Sequence, residues 1–155
     1  MRVGDRAGAT AALGVALDPE WPAPDLLDVL PGTEPFGAWA IVEAATSTVV
    51  GDIGFHGPPD AAGVVEIGYS IVLSRRRKGY AVEAARALIT WALAEEGIQA
   101  IVAGSAADNA ASIATLERLG FERTGEADGE IRWSWLRRYV SGKRKAGRSP
   151  ARPLC

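Results

Sequence analysis

The residues best placed to do chemistry lie in one stretch, VEIGYSIVLSRRRKGYAVEAARALITWAL, which begins at Val65. A β-branched segment runs into a basic turn, Ser74-Arg75-Arg76-Arg77-Lys78-Gly79, and the turn opens an Ala-rich helix. The first N–H groups of a helix lack intrahelical partners and stand at the positive end of its dipole. A basic, Gly-containing turn at that point is an anion site, and phosphate is the usual guest. Gly79 lets the backbone approach a ligand closely, because a Cβ would stand in the way. The Gly-x₄-Gly-Lys-Ser/Thr spacing of a P-loop is absent. Taken alone, the same turn is also an ordinary solvated cap. On the strand before it, period-two alternation puts Glu66, Gly68, Ser70 and Val72 on one face and Val65, Ile67, Tyr69 and Ile71 on the other. His56, the one histidine, falls where an earlier strand ends, as a base, a substrate contact or a bystander.

Those residues need a scaffold, and the flanking sequence predicts one. Residues 9–17 are Ala-rich and helix-compatible, and Pro19, Pro22 and Pro24 then break the chain. Residues 25–30 fit a turn or two of amphipathic helix before Pro31-Gly32. WAIVEAA, VVGDIGFHG and VVEIGYSIVL have strand composition and short connections, which predicts an antiparallel meander. Residues 80–96 predict a helix with a stripe of Ala81, Ala85, Leu88 and Ala92, closed by a left-handed Gly97. QAIVAG reads as a short buried strand. Asp108 or Asn109 caps a further helix with Ile113, Leu116 and Leu119 inward, ending at Gly120. FERTGE and EIRWSWLR, joined through Ala127-Asp128-Gly129, predict a closing hairpin.

The run Arg76-Arg77-Lys78-Gly79-Tyr80-Ala81 has the form Arg-x-x-Gly-x-Ala and directly follows a strand. It resembles the acetyl-CoA pyrophosphate loop of the GNAT N-acetyltransferase superfamily. Glu66-Ile67-Gly68-Tyr69-Ser70 precedes it; Asn109-Ala110-Ala111-Ser112 and Leu116-Glu117-Arg118-Leu119-Gly120-Phe121 follow, in family order. Together the blocks resemble the branch that includes ribosomal-protein N-terminal acetyltransferases, over about residues 38–136. The resemblance implies an α/β (α+β) GNAT fold: a mixed, mostly antiparallel sheet flanked by helices. Members normally begin with a strand, and too few residues precede the helix expected at 9–17 for a convincing one, so that first strand is expected to be missing or a short irregular edge.

The resemblance also implies roles. The backbones of Ile71, Val72 and Leu73 would pair with pantetheine, and the amides from Arg76 or Arg77 through Lys78, Gly79 and Tyr80 to Ala81 would hold the pyrophosphate. The Ser70 N–H matches the donor that polarises the thioester carbonyl. An amine then attacks acetyl-CoA directly, CoA leaves as a thiolate, and no metal is required. Glu66 matches a glutamate that serves as general base; a reference pKa of about 4.3 is low for that task, so burial would have to raise it. Its other reading is a surface or salt-bridged strand acid. Many members carry a tyrosine acid where this chain has Leu116, and Ser112 matches a serine that replaces it in some relatives. Ser112 is equally a first-turn hydroxyl satisfying backbone groups. Asn109 is a helix cap that by resemblance also contacts CoA. Arg75 either reaches the adenosine 3′-phosphate or is solvated, Tyr69 and Tyr80 read as packing residues, and Trp21 and Trp39 read as walls of the acceptor side.

Composition bounds the rest. The chain has 155 residues, 48% of them hydrophobic, which suits a single domain over residues 1–140. No apolar run approaches the roughly 20 residues of a membrane-spanning helix. Cys155 is the single cysteine, which fits a reducing, cytoplasmic setting, and the Arg2 and Arg6 segment lacks a signal-peptide cleavage site. Residues 1–140 carry 12 basic against 19 acidic side chains, whereas residues 141–155 carry five basic and no acidic ones and have the composition of a disordered tail. An acidic body argues against non-specific nucleic-acid binding. The acceptor is either a protein N-terminus or a small-molecule amine; the alternative is a non-catalytic acyl-CoA sensor on the same fold. A truncated sheet edge would favour a homodimer.

Overall fold

Strand-forming residues dominate from position 38 to 71, and in the computed structural model they build the sheet's first half. The structure describes Thr10, residues 14–21 and residues 35–136. Its strands are β1 (Ala16–Leu17), β2 (Ala38–Glu43), β3 (Thr48–Phe55) and β4 (Val64–Ile71), then β5 (Ala100–Ala106), β6 (Glu122–Ala127) and β7 (Glu130–Leu136). Helix α1 (Tyr80–Ala94) lies between β4 and β5, and α2 (Ala110–Leu119) between β5 and β6. The strands form one sheet in the order β1-β3-β4-β5-β7-β6, with β2 also on β3. All pairs are antiparallel except β1 with β3 and β4 with β5. The meander, the closing hairpin and the mixed α/β architecture agree with the sequence.

Helix α1 packs on β3, β4 and α2, and α2 packs on β5. Ala85, Ile89 and Ala92 of α1 and Leu116 of α2 are buried with Phe55, Val65, Ile67, Ile101 and Trp133. The Asp128-Gly129 corner of the hairpin has φ of +52° and +77°, the left-handed pair a two-residue turn needs. Asn109, not Asp108, caps α2, its Oδ1 accepting from the Ser112 N–H at 3.1 Å.

Two expectations are corrected. Within the stretch predicted as helix 9–17, Ala16 and Leu17 instead form a parallel strand on β3. Thr48 pairs with both Ala16 and Glu43, so β1 and β2 occupy opposite edges of β3. β1 therefore takes the edge that β4 occupies farther along, where the Val72 N–H donates to Val50 O. A short first strand does exist, and it sits where β4 leaves the sheet. A bulge between Ile41 and Val42 makes Val50 the extra residue on β3. Secondly, α1 stops at Ala94 because Glu95 turns extended (φ −71°, ψ 138°); Gly97, at φ +91°, shapes the turn beyond rather than capping the helix. The helical turns expected at 25–30 and the tail at 141–155 lie outside the described residues.

Candidate active site

Parallel pairing of β4 with β5 begins at Val64↔Ala100 and ends at Glu66↔Val102. β4 continues to Ile71 on β3, and β5 continues to Ala106 on β7. Beyond Glu66 the two central strands therefore separate, and β4 keeps an unpaired edge toward β5. A parallel edge of this kind accepts an extended ligand as a surrogate strand.

Which amides face that opening follows from two hydrogen bonds. His56 N–H donates to Glu66 O, and Val72 N–H donates to Val50 O. No register shift intervenes, so the main-chain groups of Glu66, Gly68, Ser70 and Val72 all point at β3. Those of Tyr69 and Ile71 point into the opening. This corrects the assignment of the Ser70 N–H as thioester donor and of the Val72 backbone as a pantetheine partner. Arg76 Nε donates to Ile71 O at 3.0 Å, closing the end of the strand.

The turn after β4 is held from below. Arg75 Nε meets Asp18 Oδ2 at 3.2 Å, and its Nη1 meets Glu43 Oε2 at 3.0 Å. Lys78 Nζ lies 3.9 Å from Glu43 Oε1, and Tyr80 and Thr46 both donate their hydroxyls to Glu43. Asp18 and Glu43 are 4% and 8% exposed. Hydrogen bonds from Thr46 and Tyr80, with help from Arg75 and Lys78, hold the Glu43 carboxyl below its ordinary value. Its bond to Asp18 and the charge of Glu43 hold the Arg75 guanidinium proton more tightly than usual. Arg75 is thus tied to two carboxylates rather than freely solvated, and Tyr80 is an anchor as well as a packing residue. Arg76, Arg77, Lys78 and Gly79 stay exposed. Gly79 (φ +87°) is the N-cap of α1, and nothing in the protein lies within 4 Å of where its Cβ would be. The loop is open on that side, at the amides of the first helical turn.

The opposite face of β4 carries polar groups. Asp52 on β3, 5% exposed, accepts from Ser70 Oγ at 2.9 Å and Trp21 Nε1 at 3.1 Å. Farther along, Glu66 Oε2 lies 3.7 Å from His56 Nδ1, and Glu66 Oε1 lies 3.7 Å from Arg132 Nη1. The Glu66 side chain is 36% exposed, so the burial its sequence reading required is absent. Trp21 is buried while Trp39 is largely exposed. Across the opening, Tyr69 OH and Ser112 Oγ lie 3.2 Å apart, joining β4 to α2. Burial raises the Tyr69 phenol above its ordinary value, partly offset by Ser112 and Thr115. Leu116 is wholly buried. Sequence reasoning missed Asp52, Asp18 and Glu43. The signal for Asp52 was an acid inside the otherwise apolar VVGDIGF. Among the described residues, no group of three or more His, Cys, Asp or Glu could hold a metal ion, and no helix is long and apolar enough to cross a membrane.

A split parallel pair, an open edge of main-chain groups and a basic turn onto a helix N-terminus define a binder of an extended, phosphate-bearing molecule. Residues 23–122 match the acetyltransferase (GNAT) domain, and the chain belongs to the GNAT acetyltransferase family. It is thereby an acetyl-CoA-dependent acyltransferase. The chain is 42% identical over 123 residues to the uncharacterized N-acetyltransferase YjdG of Bacillus subtilis (strain 168), covering 73% of each chain. Among solved structures it is similar to ribosomal-protein-S5-alanine acetyltransferase from Vibrio fischeri, with a TM-score of 0.59, 22% identity, and 64% of this chain and 61% of that one covered. At that identity the likeness is one of fold. It is also similar to the microcin C7 self-immunity acetyltransferase MccE, solved in complex with acetyl-CoA and AMP, with a TM-score of 0.53, 25% identity, and 59% and 56% covered. The chain spans less than two thirds of either solved structure's length.

Proposed function

We propose that this chain transfers the acetyl group of acetyl-CoA to a primary amine, on a protein N-terminus or a small molecule, by direct attack in a ternary complex. The observation that carries the reading is the end of β4–β5 pairing at Glu66↔Val102, on a strand that runs on to Ile71 and then into a basic turn onto α1. Pantetheine lies along the freed edge as a surrogate strand, bonded by the Ile71 N–H, with Leu73 beside it. The amides from Arg76 or Arg77 to Ala81 take the pyrophosphate, favoured by the α1 dipole. The acetyl end, farthest from the loop, reaches the Tyr69 N–H, which polarises the thioester carbonyl as charge develops on oxygen.

The amine enters from the face of Glu66 and His56, and one of these two side chains receives its surplus proton. As the C–N bond forms, the C–S bond breaks and its electron pair leaves on sulfur. Ser112, backed by Tyr69, is the hydroxyl pair on the sulfur side and supplies or relays the proton to the thiolate. Asn109 orders that helix start and lies within reach of CoA. The test is calorimetric titration with acetyl-CoA, followed by CoA release over a panel of amines. Micromolar binding with turnover on some amine supports the reading. Absence of binding overturns it, and binding without turnover on any acceptor supports the sensor alternative.

A further inference from the structure

Two polar side chains on the acceptor face are candidates for receiving the amine proton, and their geometry separates their roles. Glu66 has both carboxylate oxygens engaged, Oε1 toward Arg132 and Oε2 toward His56 Nδ1, each at 3.7 Å. His56 meets that carboxylate with one ring nitrogen only. Its other nitrogen, Nε2, lies over Gly68: a Cβ at residue 68 would stand 2.7 Å from it. A side chain at residue 68 would displace the ring. The Tyr69 N–H that faces the opening belongs to the next residue, about 3.4 Å along the strand. The His56 side chain is 53% exposed, so an incoming amine can reach it.

We propose that His56 is the general base of this site and that Glu66 is a positioning residue that holds the imidazole, steadied in turn by Arg132. This deepens the acetyl-transfer reading and rests on it. With the carboxylate on its Nδ1 side, the ring presents Nε2, over Gly68, to an incoming amine. The attacking amine sits between Nε2 and the acetyl carbon, at about 3 Å from each. Its nitrogen forms the C–N bond, its surplus proton passes to Nε2, and the C–S electron pair departs on sulfur. The imidazolium, facing Glu66, then releases the proton to solvent. Among the described residues, the charged groups on this face include Glu66 of β4, Asp52 of β3 and, on β7, Arg132 together with Glu130, whose Oε2 lies 3.5 Å from Arg132 Nη2.

The experiment measures kcat/KM against pH, and acetyl-CoA affinity, for the full chain with an amine that the wild type acetylates. His56→Gln should slow turnover by about 10²–10³-fold, leave acetyl-CoA affinity within about two-fold, and abolish the acid limb of the profile. Added imidazole should restore rate to His56→Ala in proportion to its concentration. Gly68→Ala, which pushes on the ring without removing it, should slow turnover with affinity retained. Glu66→Gln should slow turnover by only about ten-fold and keep the acid limb. A His56→Gln variant within three-fold of wild type, or a limb lost in Glu66→Gln and kept in His56→Gln, overturns the assignment. Failure of the wild type to bind acetyl-CoA overturns the acetyl-transfer reading itself, a distinct result.

Discussion

Tyr69 and Ser70 are neighbours on β4, yet their amides point to opposite edges of the strand, and only Tyr69 addresses the cleft. Ser70 is still important, for a different reason: its hydroxyl and the Trp21 indole both donate to Oδ2 of the nearly buried Asp52 carboxylate. Hydrogen bonds to charged groups contribute about 1.5–3 kcal/mol, and a buried acceptor left short of a donor is costly. Ser70→Ala should therefore lower the unfolding free energy by about that much in urea denaturation, with acetyl-CoA affinity within about two-fold of wild type. A large loss of affinity without loss of stability would return Ser70 to the cofactor site. The side-chain alternation on β4 was legible, because a period of two follows from the pleat alone. The direction of each amide was not, since it depends on which neighbour pairs with which edge. The Asp52–Ser70 bond spans 18 residues and the Asp18–Arg75 bond 57, so neither leaves a local pattern to read.

At the scale of elements, the loop and the two helices were recognisable because Gly79, Asn109 and Gly120 each satisfy a local rule about helix ends. The end of α1 was misplaced because Gly97 obeys the same rule two residues too late, in a turn that needs positive φ without being a cap. Gly79 itself has φ +87° and open space around it, so Gly79→Ala meets no clash but forces a left-handed alanine. Strain of about 1–2 kcal/mol would be relieved by reorienting the amides of the first turn. The expected outcome is acetyl-CoA binding weakened by about ten-fold in calorimetry, with stability only modestly changed. Unaltered affinity would remove the loop amides from the proposed site. Leu116 shows the opposite balance. It is fully buried where α2 meets the core, and Leu116→Ala should cost about 2–5 kcal/mol of stability, read from the urea midpoint, with little change in KM.

Across the whole molecule, the anchor of the turn before α1 comes from three distant segments. β1 brings Asp18 to the point where β4 leaves the sheet, β2 ends at Glu43, and Arg75 joins them. Glu43 accepts from Thr46, Tyr80 and Arg75, and these partners hold its carboxyl below the ordinary value of 4.5. A carboxylate whose folded pKa is depressed contributes stability above its unfolded pKa and loses it as pH falls through the folded one. Acid should therefore loosen this anchor below about pH 4.5, and the loop amides with it. Glu43→Gln removes the titrating group, so its stability should change less between pH 5 and pH 3 than that of wild type. It should also weaken acetyl-CoA binding at neutral pH, because Arg75, Lys78 and Tyr80 lose their common acceptor and the turn is less well ordered. Urea unfolding at several pH values, with affinity measured in parallel at pH 7, checks both halves. Parallel stability curves for variant and wild type would mean that Glu43 does not couple protonation to the fold, and that the turn keeps its shape without it.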